Sequence, residues 1–228
     1  MFNRSLYKKN ALKCLKDRRL VPTLVSLVVL VTYFLLNAGS VGKSIKAVGP
    51  HLTLILDARK MNFIVIAIMC FVLGTIEIAE AGFYLFTVDH PQETLSFNTF
   101  MEGFSLFVRG SLAFMWKWLW IFIWGLFFVV PGIIKFFSYS QLFYILRDYP
   151  QIGIRQALAV SKEITKGHKA DLFWLYLSFI GWDLLSVPTA FVLQLWIWPY
   201  KQASFAFAYR SLMQKALTSG TIVPDDLK

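Results

Sequence analysis

The sequence contains few residues of the kinds that build metal centres and disulfides. It has two cysteines and three histidines in 228 residues. Cys14 lies in a basic N-terminal segment and Cys70 lies inside an apolar run, so we expect them at different depths and without a disulfide between them. His51, His90 and His168 fall in separate loops, without the spacing of metal ligands. The sequence therefore predicts no metal site and no cofactor.

Catalytic motifs and interdomain linkers are also missing. The chain has no HExxH zinc motif, no GxSxG nucleophile elbow and no glycine-rich phosphate loop. These absences predict a protein that is not an enzyme, although an intramembrane enzyme can use Asp or Glu without such a motif. No long stretch rich in Pro, Gly or Ser divides the sequence, which favours a single domain over residues 1–228.

Apolar residues, by contrast, are abundant. Hydrophobic residues make up 57% of the chain, whereas a soluble domain has about 45–50%. A helix needs roughly 20 mainly apolar residues to cross a bilayer. The composition therefore predicts an all-α integral membrane helical bundle. The clearest apolar runs are Leu20–Leu36, Phe63–Phe86, Trp118–Val130 and Leu172–Pro188.

The first apolar run has two interpretations. It follows a basic region, as the hydrophobic part of a signal peptide does. It is nevertheless longer than the usual ~7–15 residues of such a part, and its basic flank is long. An uncleaved first membrane span is therefore the favoured interpretation.

The runs fit a unit that appears three times: an interfacial amphipathic helix, a span out, a short turn and a span back. Pro131 and Gly132 are interpreted as the turn between the third and fourth spans, with a helix break inside the membrane as the alternative. If residues 115–146 were one long bent helix, five spans would result. The six predicted spans cover residues 20–36, 63–86, 115–130, 133–146, 172–187 and 191–213, and the interfacial helices cover residues 4–19, 94–108 and 152–166.

The charge of the chain is strongly basic, with 23 Lys and Arg against 13 Asp and Glu, a net charge of +10. Because the basic residues flank apolar runs, we expect anionic lipid headgroups, and not nucleic acid, as their partners. The positive-inside rule places residues 1–19, 87–117 and 147–171, together with the C-terminal tail, in the cytoplasm, and with them both termini. It leaves a loop near residues 37–62 outside, with Lys43, Lys46, Arg59 and Lys60.

Five charged residues inside the apolar runs form the candidate polar site, because charges within a bilayer are costly and are functional candidates by default. Glu77 and Glu80 share one face of the second span. No basic partner is evident for them at matching depth, and two neighbouring carboxyl groups can share a proton. Asp183 is expected to pair with Lys135 or Lys201 as a structural contact, or to line a polar cavity with them.

Tryptophan is frequent in the third and sixth predicted spans. These side chains are interpreted as anchors at the membrane interface and as lipid-facing bulk, with a ligand cage as the less favoured alternative. They are Trp116, Trp118, Trp120, Trp124, Trp196 and Trp198.

Three stretches of the second half carry a family resemblance. They read PGIIKFFSYSQLFYILRDYP at residues 131–150, ALAVSKEITKGHKADLFWLYLSFIGW at residues 157–182 and WPYKQASFAFAYRSL at residues 198–212. The chain resembles an uncharacterised bacterial membrane family, domain of unknown function 975. The resemblance implies a multi-pass bacterial membrane protein and brings no activity, substrate or cofactor with it. Asp183 departs from the pattern, since an apolar residue is expected after SFIGW.

The combined features predict a non-catalytic protein of the bacterial inner membrane that binds lipid or a membrane protein partner. It would be an accessory or scaffold component of the cell envelope or of an export system. A small proton- or ion-coupled transporter that uses Glu77, Glu80 and Asp183 is the first alternative. An immunity protein against a membrane-active peptide is the second.

Overall fold

The structure, a computed structural model, is built from helices joined by turns. It describes residues 2–45, 63–189, 191–223 and 227, with the side chains of 37–45 and 63–66 excepted. No β-strand occurs over these residues, so the all-α prediction is confirmed. Most of the predicted outer loop lies outside the described residues, and with it lie His51, Lys46, Arg59 and Lys60.

The second helix begins at Leu20, as predicted, and continues beyond the predicted end of the first span. Asn3 begins the first helix by accepting a hydrogen bond from the backbone of Leu6 (3.0 Å), which is the usual role of an N-cap. The helices are α1 (Arg4–Leu15), α2 (Leu20–Ile45), α3 (Phe63–Asp89), α4 (Phe97–Glu102), α5 (Phe107–Phe127), α6 (Val129–Ser138), α7 (Leu142–Asp148), α8 (Ile154–Ile164), α9 (Lys169–Ser186) and α10 (Gln194–Thr218), with a 3₁₀ turn at Gly103–Leu106.

Three described stretches of helix are long and apolar enough to cross a membrane: Ala67–Asp89, Phe97–Phe127 and Val129–Asp148. A fourth results if α1 and Leu20–Leu36, which are bent by 107°, count as one broken span. This is fewer than the six spans predicted. The last two predicted spans form helices α9 and α10, but each contains three charged residues, which makes it less apolar than a clear span. The apolar helices are compatible with a membrane protein.

Helices α5 and α6 form a hairpin, and not the single bent helix of the five-span alternative. A methyl group built on Gly132 would lie 3.0 Å from the Cα atom of Gly125, so the two helices touch near their connection. The chain reverses at Phe128, whose backbone is extended (φ −158°, ψ 144°). The turn predicted at Pro131 and Gly132 is therefore misplaced. Pro131 fits the first turn of α6, because an amide hydrogen there would have no partner within the helix.

The interfacial helices predicted over residues 94–108 and 152–166 fold differently from each other. The helix predicted over residues 94–108 is not a separate interfacial helix, because α4 and the 3₁₀ turn lead directly into α5. Phe100 of this segment is fully buried, and α4 packs on α3. Helix α8, in contrast, buries the face that its sequence predicts. The buried residues of α8 are Ala157, Leu158, Val160, Ser161 and Ile164.

Helix α3 is the centre of the bundle and contacts α5, α7 and α10. Small residues bring the backbones of α3 and α5 close together. A methyl group built on Gly110 would lie 2.6 Å from the carbonyl oxygen of Gly74 and 2.7 Å from Cγ2 of Ile78. Beside this contact, the Ser111 hydroxyl donates a hydrogen bond to the carbonyl oxygen of Phe71 across the interface (2.8 Å). The interface leaves no room for a larger side chain at position 110.

The start of the chain packs against the end of α3 and the last turns of α10. The Arg18 guanidinium donates hydrogen bonds to the carbonyl oxygens of His90 (2.9 Å) and Glu93 (2.6 Å). These carbonyls follow the last turn of α3, where a cation also interacts favourably with the helix dipole. The Tyr7 hydroxyl donates to the hydroxyl of Ser211 in α10 (2.7 Å). Helix α1 is therefore fixed to the bundle by specific contacts.

The tip of the α5–α6 hairpin has an apolar outer surface. Leu126, Phe128 and Val129 are 75%, 73% and 72% exposed. Single exposed apolar side chains are common, but a contiguous patch of this kind indicates contact with lipid or with another protein.

Gly110→Ala is expected to lower the free energy of unfolding by about 1–3 kcal/mol, because the added methyl group must displace the backbone of α3. Gly125→Ala, in the same helix, adds its methyl group into open space and is expected to leave stability unchanged or slightly raised. Thermal unfolding of both purified variants in detergent measures the difference. Equal melting temperatures for the two variants would contradict the close contact of α3 and α5.

Candidate functional site

Glu77 forms an ion pair with Lys117, which joins α3 to α5. Oε2 of Glu77 lies 3.1 Å from Nζ of Lys117, and the lysine side chain is only 9% exposed. The ammonium group also lies 4.8 Å from the ring centroid of Phe143 in α7, a cation–π contact. The prediction that Glu77 has no basic partner is therefore wrong. The charge pattern assigns Lys117 to a cytoplasmic segment, whereas α5 begins at Phe107 and carries Lys117 into the bundle.

Glu80 joins α3 to α10 and is 4% exposed. Its Oε1 accepts a hydrogen bond from the indole Nε1 of Trp198 (2.6 Å), and its Oε2 accepts from the Gln202 amide (3.5 Å). Trp198 and Gln202 are four residues apart and therefore lie on one face of α10. Trp198, interpreted from the sequence as an interface anchor, is instead a donor to a buried carboxylate. Glu77 and Glu80 thus have different partners on different helices.

Asp183 joins α9 to α10. Its Oδ2 lies 3.0 Å from Nζ of Lys201, and its Oδ1 accepts a hydrogen bond from the Gln194 amide (3.1 Å). The Lys201 ammonium also lies 4.4 Å from the ring centroid of Tyr176. The predicted ion pair of Asp183 is confirmed, and Lys201 is the partner.

In the described part of the chain, no ion pair within 4.0 Å joins Lys135 to another of the predicted site residues. The Nζ atom of Lys135 lies 4.7 Å from the ring centroid of Trp124 and 5.7 Å from that of Tyr139. The five predicted residues therefore do not form one site. They divide into an α3–α5 pair, an α3–α10 contact, an α9–α10 pair and a separate lysine on α6.

Arg210 ties the ends of three helices together and was not among the predicted site residues. It forms ion pairs with Asp89, at the end of α3, and with Asp148, at the end of α7. The Tyr209 hydroxyl donates a further hydrogen bond to Oδ2 of Asp148 (2.8 Å). The sequence places Arg210 among the cytoplasmic charges near the C-terminus and offers no local signal that two aspartates over 60 residues away bind it.

These contacts have one helix in common. Helix α10 supplies donors to the carboxylates of α3, α7 and α9. Removing one partner of a poorly solvated ion pair is strongly destabilising, because the remaining charge is left unpaired. The arrangement fixes helix positions. Within the described part of the chain, no group of three or more His, Cys, Asp or Glu side chains could hold a metal ion.

Glu77→Gln and Lys117→Met are each expected to destabilise the fold by about 3–5 kcal/mol, because each leaves the other charge buried without its partner. The double variant is expected to be less destabilised than the sum of the two single variants. Thermal unfolding in detergent supplies the four stabilities of this cycle. Lys166→Met, at an exposed ion pair with Glu163, is the control and is expected to change stability by less than about 1 kcal/mol. Additive effects at positions 77 and 117 would show that the two residues do not interact.

Comparison with known proteins finds a family match over part of the chain, and the match brings no activity with it. No curated protein and no solved structure matches the chain significantly. Lys117, Asp183, Lys201 and Arg210 lie within the segment that a family model matches, whereas Glu77 lies before it. The matched segment, residues 109–216, fits the model of the family described as protein of unknown function (DUF975), and the predicted resemblance of the chain to this uncharacterised family is thereby confirmed.

Proposed function

We propose that this chain is a multi-pass protein of the bacterial cell membrane that binds membrane lipids, including anionic headgroups, or a membrane protein partner, and that it catalyses no reaction. In this role it is an accessory or scaffold component of the cell envelope or of an export system. Both termini lie in the cytoplasm.

The distribution of charge carries this proposal. Glu77, Glu80 and Asp183 bind donors inside the bundle and so contribute to the fold. Many basic side chains, in contrast, are exposed on the surface helices. Cations exposed beside apolar surface are suited to anionic headgroups. Exposed examples are Arg4, Lys9 and Lys13 of α1 and Arg155, Lys162 and Lys166 of α8.

The contacts of His168 support a single basic end of the bundle. The ring of Phe2, just before α1, stacks on the His168 ring with centroids 5.8 Å apart. The Lys215 ammonium of α10 lies 2.7 Å from Nε2 of His168. The basic N-terminal helix, the α8–α9 connection and the last turns of α10 therefore meet. Their common position supports placing all three on the cytoplasmic side by the positive-inside rule.

The proposal predicts selectivity for anionic lipid in the membrane around the protein. Electron spin resonance of the full chain in phosphatidylcholine vesicles, with a small fraction of spin-labelled lipid, measures the population of motionally restricted lipid. Labelled phosphatidylglycerol is expected to be restricted several-fold more than labelled phosphatidylcholine, and the difference is expected to shrink at 1 M salt, where charges are screened over about 3 Å. Equal restriction of the two lipids at low salt would contradict lipid binding through the basic surface.

A small proton- or ion-coupled transporter is the second candidate, and one observation favours it. Glu80 accepts its hydrogen bonds from two neutral donors, the Trp198 indole and the Gln202 amide. A buried carboxyl group with neutral partners is better suited to gain and lose a proton than Glu77, which is matched by Lys117.

The transporter candidate predicts that Glu80→Gln abolishes proton flux while the protein still inserts and folds, since the amide cannot carry a proton. A pH-sensitive dye enclosed in proteoliposomes measures the flux when a potential is applied. The flux of Asp183→Asn, in which the altered carboxyl group is the one paired with Lys201, is compared with the flux of Glu80→Gln. Unchanged flux in Glu80→Gln, or no flux in the wild-type protein, would count against this candidate.

A further inference from the structure

A cavity of about 460 Å³ opens on the outside of the bundle between α5, α8 and the end of α6. Its size lies within the range of small-ligand sites in proteins. None of the residues that line it is acidic. The lining consists of Trp116, Trp120, Tyr139, Arg155, Leu158, Ala159 and Lys162.

Two basic side chains on α8 face this cavity and are exposed. They are Arg155 and Lys162, which are seven residues apart and therefore lie on nearly the same face of the helix. Among the described residues, neither lies within 4.0 Å of a carboxylate, in contrast to Lys166, which pairs with Glu163 at 3.1 Å. Their charges are thus available to an anion from outside the chain.

Aromatic side chains orient Arg155. The guanidinium carbon of Arg155 lies 5.1 Å from the ring centroid of Trp116, and the rings of Trp116 and Trp120 meet edge to face with centroids 6.3 Å apart. A cation held over a Trp ring retains its hydrogen-bond donors for a further partner. Trp and Tyr are also the residues enriched at the level of lipid headgroups.

The cavity adjoins the apolar outer surface of the hairpin. One turn further along α5, Trp124 is 39% exposed, and the Lys135 ammonium lies 4.7 Å from its ring. Beyond it lies the exposed tip with Leu126 and Phe128. A ligand with a negatively charged head and a hydrocarbon tail matches this order of basic, aromatic and apolar surface.

We infer that Arg155 and Lys162, with Trp116 and Trp120, form a specific binding site for the phosphate headgroup of an anionic phospholipid, whose acyl chains lie along α5 and α6. This inference rests on the proposed lipid-binding function and names the site that carries it.

The test measures lipid affinity of the purified full chain by native mass spectrometry in detergent, with phosphatidylglycerol and phosphatidylcholine as probes. Arg155→Gln with Lys162→Gln is expected to weaken phosphatidylglycerol binding about tenfold and to leave phosphatidylcholine binding unchanged. Lys16→Gln with Arg19→Gln removes the same charge from exposed positions outside the cavity and is expected to weaken binding less than twofold. Unchanged melting temperatures establish that both double variants fold; if the first does not, its two single variants are measured, with about threefold weakening expected of each.

The outcomes separate the site from the function. If phosphatidylglycerol binding survives the loss of Arg155 and Lys162, or if both double variants lose it equally, the site is wrong while lipid binding stands. If the wild-type protein does not prefer phosphatidylglycerol, the site and the proposed function both fail. Inorganic phosphate is expected not to displace the lipid, and displacement would show that the site takes a free anion.

Discussion

A carboxylate buried among apolar helices must find a donor, and this requirement determines the place of α10 in the bundle. Glu80 takes the indole of Trp198, Asp183 takes the ammonium of Lys201, and the aspartates that end α3 and α7 share Arg210. Without α10, each of these groups would lose a partner, and the loss would be most costly at Glu80, which is only 4% exposed. The charges that make α10 too polar to resemble a simple span are the same charges that hold it in place.

Features that depend on local periodicity followed from the sequence. The all-α class, the start of α2 at Leu20 and the buried face of α8 all reflect spacing within a single helix, which the residues of that helix determine. The pair of Asp183 and Lys201 could also be predicted from the sequence. The two residues lie on consecutive helices, and a charge in an apolar segment is costly without a partner.

Features that depend on how helices rotate against one another did not follow from the sequence. The pair of Glu77 and Lys117 lies at the α3–α5 interface, where Gly74 and Gly110 bring the two backbones close together. The chain reverses at Phe128, and Gly132 of α6 then lies against Gly125 of α5, whereas the stronger local turn signal lies at Pro131. The predicted count of six spans was too high because the last two predicted spans contain charged residues, Asp183 in α9 and Lys201 and Arg210 in α10, which make these helices less apolar.

The bond from Trp198 to Glu80 crosses the boundary of the family match. The indole belongs to the matched segment, residues 109–216, and the carboxylate belongs to the part of the chain before it. A residue of the matched segment therefore has its hydrogen-bond partner outside that segment. A hybrid that grafts the second half of one relative onto the first half of another will assemble only if the residue facing position 80 can still donate a hydrogen bond, so replacements at positions 80, 198 and 202 should arise together during evolution.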